Sequence, residues 1–86
     1  MPTKITDVNL SFKPRLVYEI HSFVSQKSRT LAEIYWHVRF DEPLAIAAHI
    51  SAMCATEVLS EDEHGQISST CSSIEGVKTV REYYEA

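Results

Sequence analysis

Between Thr30 and Met53 two helical patterns are separated by only a few residues, and this spacing limits the possible folds more than any other feature of the chain. Thr30 and Glu33 form a T-x-x-E capping box ahead of an apolar run. In such a box the threonine side chain accepts the N–H of residue 33, and the glutamate reaches back to the N–H of residue 30. Leu31, Ile34, Tyr35 and Val38 then line one face, which predicts a helix over 31–39. Asp41 is placed to cap the next helix, and Pro43 suits its first turn. Ile46, Ile50 and Met53 recur at four- and three-residue steps, predicting a helix over 42–56. Two helices joined so tightly must cross and share a core.

The flanking segments complete a small domain. "TKITDVNLSFK" alternates at Val8, Leu10 and Phe12, as a short strand does. "PRLVYEIHSFVSQK" sets Leu16, Ile20, Phe23 and Val24 at helical spacing behind Pro14, predicting a helix over 14–27. After the third helix, Val58 and Leu59 begin a strand, "EDEHG" supplies a turn with Gly65 free to take a positive φ, and "QISST" returns. Ile74, Val77, Val80 and Tyr84 predict a closing helix over 74–85, with Gly76 weakening its start. The 86 residues thus read as one α+β domain: a three-helix core, a β-hairpin, a short N-terminal strand and a C-terminal helix.

Composition narrows the setting. Hydrophobic residues make up 44% and charged residues 23%, which suits a folded globular chain rather than a disordered one. No apolar run approaches a membrane span, and "MPTKITDVNL" lacks the apolar stretch of a signal peptide, so a cytoplasmic location is expected. Cys54 and Cys71 make no disulfide framework and are expected as thiols. The net charge of −4 is unevenly spread. Residues 1–39 carry six basic groups against three acidic ones, and residues 40–86 carry two against nine. Between Phe40 and Val77 there is no Lys or Arg.

Residues 29–69, "RTLAEIYWHVRFDEPLAIAAHISAMCATEVLSEDEHGQISS", resemble the winged helix-turn-helix superfamily. The likeness rests on the capped "TLAEI" helix, the tight turn, a second helix ending near a Leu/Val strand, and the Gly-tipped hairpin that would be the wing. With the first helix it covers about 16–70. Glu57 stands where a glycine often closes the third helix. The tail "TCSSIEGVKTVREYYEA" is similar to that of small FeoC-type regulators of ferrous-iron transport, with Cys71 alone where those proteins often carry four wing cysteines. Small fimbrial-type winged-helix regulators are a comparable likeness. The resemblance implies a transcription-regulatory role, with either DNA or protein as partner.

Charge argues against DNA as the partner of the third helix. A winged-helix protein that binds DNA normally sends this helix into the major groove, and affinity rests on Lys and Arg at phosphates. Here the helix offers Ala45, Ala48, His49 and Ala52, and the hairpin offers Glu61, Asp62 and Glu63. These seven residues are expected to contact a protein, either a second copy in a homodimer or another member of a regulatory complex. The alternative is a DNA-binding dimer that uses Lys13, Arg15, Lys27, Arg29 and Arg39. A second alternative is a metal or redox sensor built on Cys54, His64 and Cys71, whose C-x9-H-x6-C spacing matches no zinc template. No catalytic motif is present, so a non-enzymatic protein without a cofactor is expected. Tyr35, Trp36 and His37 cannot all face one stripe. Trp36 is expected beneath the N-terminal strand or the C-terminal helix; left exposed, it would mark a partner site. Val80 and Tyr84 can cover the core, which leaves Tyr83 for the dimer contact that the winged-helix resemblance implies for a terminal helix.

Overall fold

The capping box forms as its residues dictate. Thr30 Oγ1 accepts the N–H of Glu33 at 3.2 Å, and the Thr30 N–H donates to Glu33 Oε1 at 2.8 Å. The computed structural model describes residues 11–86. Within them the order is α1 (Pro14–Gln26), α2 (Leu31–His37), α3 (Pro43–Ala55), β1 (Leu59–Glu61), β2 (Ile67–Ser69) and α4 (Ser73–Glu85). The described residues thus form an α+β architecture of four helices and a two-stranded antiparallel hairpin. Helix ends fall within a residue or two of the positions expected from sequence. The strand expected at Val8, Leu10 and Phe12 lies largely outside the described residues. Among the described residues no helix is long and apolar enough to cross a membrane.

One cap differs from expectation. The N-cap of α3 is Glu42, which makes no side-chain cap hydrogen bond. Asp41 instead accepts from Arg15 Nη2 at 2.6 Å, while Arg15 Nη1 lies 2.7 Å from Glu19. Bonds to Glu19 and then Asp41 raise the pKa of the Arg15 guanidinium. The charged pair outcompetes local capping because a guanidinium fork beside two carboxylates makes charge-assisted bonds. The start of α3 manages with Pro43, whose missing N–H removes one unpaired donor.

The core gathers Leu16, Ile20 and Val24 from α1, Ile34 from α2, Ile46 and Met53 from α3, Leu59 and Ile67 from the hairpin, and Val80 from α4. The hairpin is tied to the α1–α2 connection. Arg29 and Ile67 exchange both backbone hydrogen bonds, at 3.0 and 2.7 Å. Ser28 Oγ lies 2.9 Å from Ser68 Oγ, and Ser25 Oγ donates to Ser69 Oγ at 3.2 Å. At the tip, Asp62 Oδ1 accepts the N–H groups of His64 and Gln66 at 2.8 and 2.9 Å, and Gly65 takes φ 77° as its turn requires.

Gly76 in α4 does more than weaken a helix start. A Cβ there would sit 3.1 Å from Val58 Cγ1 and 3.2 Å from His21 Cδ2. The missing side chain is the space into which the His21 ring fits, so α1 and α4 approach closely. His21 is buried, with Nδ1 2.8 Å from Ser73 Oγ and Nε2 without a hydrogen-bond partner among the described residues. Burial lowers its pKa, with the backbone of Cys71 acting the other way.

Helix α3 ends in a Schellman motif on a residue that is not glycine. The Val58 N–H donates to Met53 O at 2.8 Å and the Glu57 N–H to Cys54 O at 3.0 Å. Glu57 occupies the left-handed position with φ 64°. Buried Val58 and Met53 supply the apolar pair that accompanies this motif. The backbone therefore requires the glycine conformation that the sequence leaves unfilled. Glu57→Gly is expected to raise stability by up to about 1 kcal/mol, the left-handed penalty less the added chain entropy. Glu57→Ala, which keeps the penalty, should bring no such gain. Urea unfolding of the three proteins decides it; a glycine variant no more stable than the alanine variant would show that φ is not the cost.

Candidate functional site

The residues expected on the outer face of α3 are mostly inside the protein. Ala45, His49 and Ala52 are buried; only Ala48 is even partly exposed. The apolar steps Ile46, Ile50 and Met53 define only part of the buried arc. At 100° per residue, the six buried positions of α3 span roughly 160° of its circumference. The added width comes from α4 and from Phe12, which cover the Ala45, His49 and Ala52 side. The outer face is Leu44, Ala47, Ser51 and Ala55.

His49 is a structural latch. Its Nδ1 donates to Ala45 O at 2.7 Å, and its Nε2 accepts the Lys13 N–H at 2.9 Å. Both roles can be met only by the neutral ring carrying its proton on Nδ1. Phe12 and Tyr84 pack on the ring, with centroids 6.2 and 5.2 Å away. Burial is the main cause of its lowered pKa, opposed by the Ala45 carbonyl.

The other expected groups are dispersed. Glu61 and Glu63 are exposed on the hairpin, while the Asp62 carboxylate is occupied by the turn's own N–H groups. Among the described residues no group of three or more His, Cys, Asp or Glu side chains is placed to hold a metal ion, so Cys54, His64 and Cys71 are not brought together as a ligand set. Burial, then the Glu61 carboxylate, pushes the Cys54 thiol pKa up, away from the thiolate that metals and electrophiles take. Nor do the five cations expected to meet DNA form one free face. Arg15 is paired with Glu19 and Asp41. Arg29 donates to Phe23 O and to Gln26 Oε1, and it lies 3.8 Å over the Phe23 ring. The Lys13 backbone is held by His49, at the opposite end of α1 from Lys27.

Large apolar side chains are exposed at Tyr18, Leu44, Ile74 and Tyr83, and Leu31, Trp36 and Phe40 are exposed on α2 and the turn after it. Trp36 is 68% exposed and Phe40 88% exposed, so among the described residues the C-terminal helix does not cover Trp36; the N-terminal strand expected over it lies largely outside them. The Arg39 guanidinium lies 4.0 Å over the Trp36 ring and 4.6 Å over the Phe40 ring, and its Nη1 donates to Trp36 O at 2.8 Å. Trp36 and Arg39 border two open grooves. One is completed by Leu31, Tyr35, Pro43 and Ile46, the other by Phe23, Glu33 and His37, with Ala32 common to both. Phe23 stacks on His37 with centroids 3.9 Å apart. Of the seven residues of α2, only Ile34 is buried. The sequence signal for this surface was the "YWH" triplet, which cannot all be accommodated inside.

Known protein families, curated proteins and solved structures were compared with the chain, and none matches it.

The two buried histidines make stability pH-dependent. In the unfolded chain each takes a proton near pH 6.5, while in the folded protein both pKa values are lowered. Stability is therefore complete above about pH 6.5 and declines as the pH falls toward the depressed folded values. Denaturant midpoints should fall between pH 7.5 and 5. His49→Gln keeps an acceptor and a donor without a titrating ring, so its midpoint should fall less steeply. Parallel profiles for variant and parent would remove His49 as a cause.

Proposed function

We propose that this chain is a small, non-enzymatic winged-helix regulatory module that works by binding another protein. The contact surface is the outer face of α2 and the turn that follows. The exposure of Trp36 and Phe40 around Arg39 carries the reading. Trp, Tyr and Arg are the residues in which binding energy concentrates at protein interfaces. The layout agrees with a winged helix: three helices, a hairpin and a closing helix, with the α1–α2 connection pinned to the hairpin by Arg29 and Ile67. The acidic hairpin and the alanine-rich outer face of α3 support a protein partner over DNA, since phosphate binding draws on cations that neither element supplies.

The test compares the parent with Trp36→Ala/Phe40→Ala, a change confined to exposed side chains. Duplex DNA of random sequence should fail to bind even at low salt. Affinity capture from the native cell should retain a partner on the parent and lose it on the double variant, with circular dichroism unchanged. A log-affinity for DNA that falls steeply with log salt would overturn the proposal, as would capture that ignores the two substitutions.

A further inference from the structure

We infer that the partner surface for α2 is an acidic amphipathic helix laid along the Trp36 ridge. The inference rests on the protein-binding reading above and adds the chemistry of the partner. Three observations carry it.

The first is local charge. The protein is net −4, yet the cations nearest the two grooves are Arg39 at the far end of α2 and Lys27 and Arg29 at its start, the latter two close enough to act on Glu33. Glu33, a carboxylate lining the second groove only, accepts from the Thr30 N–H and hydroxyl in the capping box. Glu19 and Asp41, beyond the turn, are paired with Arg15. Lys27, Arg29 and Arg39 stand at the two ends of this apolar surface, against Glu33 in the second groove and the exposed Glu42 beside Pro43; the excess of cations complements an apolar face rimmed by carboxylates.

The second is the absence of a backbone edge. α2 is a helix and not a strand, so it has no row of alternating N–H and C=O groups with which an extended peptide could pair. An extended peptide lying there would leave its backbone unpaired over apolar ground. A helix brings its backbone hydrogen bonds with it and inserts side chains at i, i+3, i+4 and i+7. The third is size. The seven residues of α2 extend about 11 Å, which two to three turns of a partner helix would cover. Polynucleotide is the weaker match. The first groove is closed by Leu31, Tyr35, Pro43 and Ile46, and Arg39 is the one cation among its lining residues that could meet a phosphate.

Trp36 is the chain's single tryptophan, so its fluorescence reports this surface alone. The probe is a helix-forming peptide of about 15 residues with Leu and Phe at i, i+3, i+4 and i+7 and Glu on both flanks. The control carries Lys at every Glu position. The Glu peptide should shift Trp36 emission to the blue and saturate, and the Lys peptide should bind at least about ten-fold more weakly. Lys27→Glu/Arg39→Glu should reverse that preference, and Phe40→Ala should weaken binding with the reporter intact. Equal affinity for the two peptides, or binding of neither, overturns the inference. So does an emission shift on raising protein concentration alone, which would make a second copy the occupant, or a shift with duplex DNA. A partner captured through Trp36 while neither peptide binds would leave the protein-binding reading standing and remove the acidic helix.

Discussion

The buried imidazole of His49 joins three helices at one point. Its Nδ1–H is committed to the carbonyl of Ala45, one turn earlier in α3, which leaves Nε2 as an acceptor facing the Lys13 N–H. That N–H stands at the start of α1, where a helix leaves donors without intrahelical partners. Lys13 is the N-cap of α1, and Leu16 at the third helical position has no side-chain acceptor to reach back to its N–H, so the histidine on another helix supplies one. Tyr84 from α4 closes over the ring. Turning α3 outward would break these contacts together and leave buried polar groups unpaired, at a cost of about 1–3 kcal/mol each.

With α3 held this way, the distribution of surface follows. Helix α3 turns Ala45, Ile46, His49, Ile50, Ala52 and Met53 inward and leaves Leu44, Ala47, Ser51 and Ala55 outside. The buried arc packs on α1, α4 and the hairpin. Helix α2 is left with more apolar surface than the core can take. One buried residue, Ile34, anchors it, and Trp36 stays outside the core. The exposed aromatic surface is a consequence of packing, and it explains why a seven-residue helix carries the largest side chain of the protein outward.

What the sequence made legible was local. The capping box needs only Thr30 and Glu33, the hairpin tip needs Asp62 and Gly65, and both form as their residues require. The unfilled glycine position at Glu57 was visible as a departure from the usual pattern, and the backbone there has a positive φ. What was not legible depended on partners distant in sequence. His49 lies among alanines that suggest an outer face, and its burial is decided by Phe12 and Tyr84. Asp41 was well placed to cap α3 but is taken by Arg15 from α1, 26 residues away. Trp36 offered two opposite readings, and only the packing of the whole chain chooses between them. The role of Gly76 was hidden for the same reason, because the group that requires its hydrogen is His21 on another helix.

The charge asymmetry of the sequence takes on a different meaning once the cations are located. A basic N-terminal half suggests a field spread over one face, but the arginines are each engaged close by. Arg15 bridges two carboxylates, Arg29 lies on Phe23, and Arg39 lies on Trp36 and Phe40. A guanidinium lying over a ring uses its flat face and keeps N–H donors at its edge. Arg39 spends one such donor on the Trp36 carbonyl and has others facing outward. It therefore orders the aromatic pair in the free protein without losing its capacity to bind a carboxylate. An aromatic surface already arranged by its own arginine gives up less side-chain freedom on binding than one that must be assembled, and in association that saving appears directly as affinity.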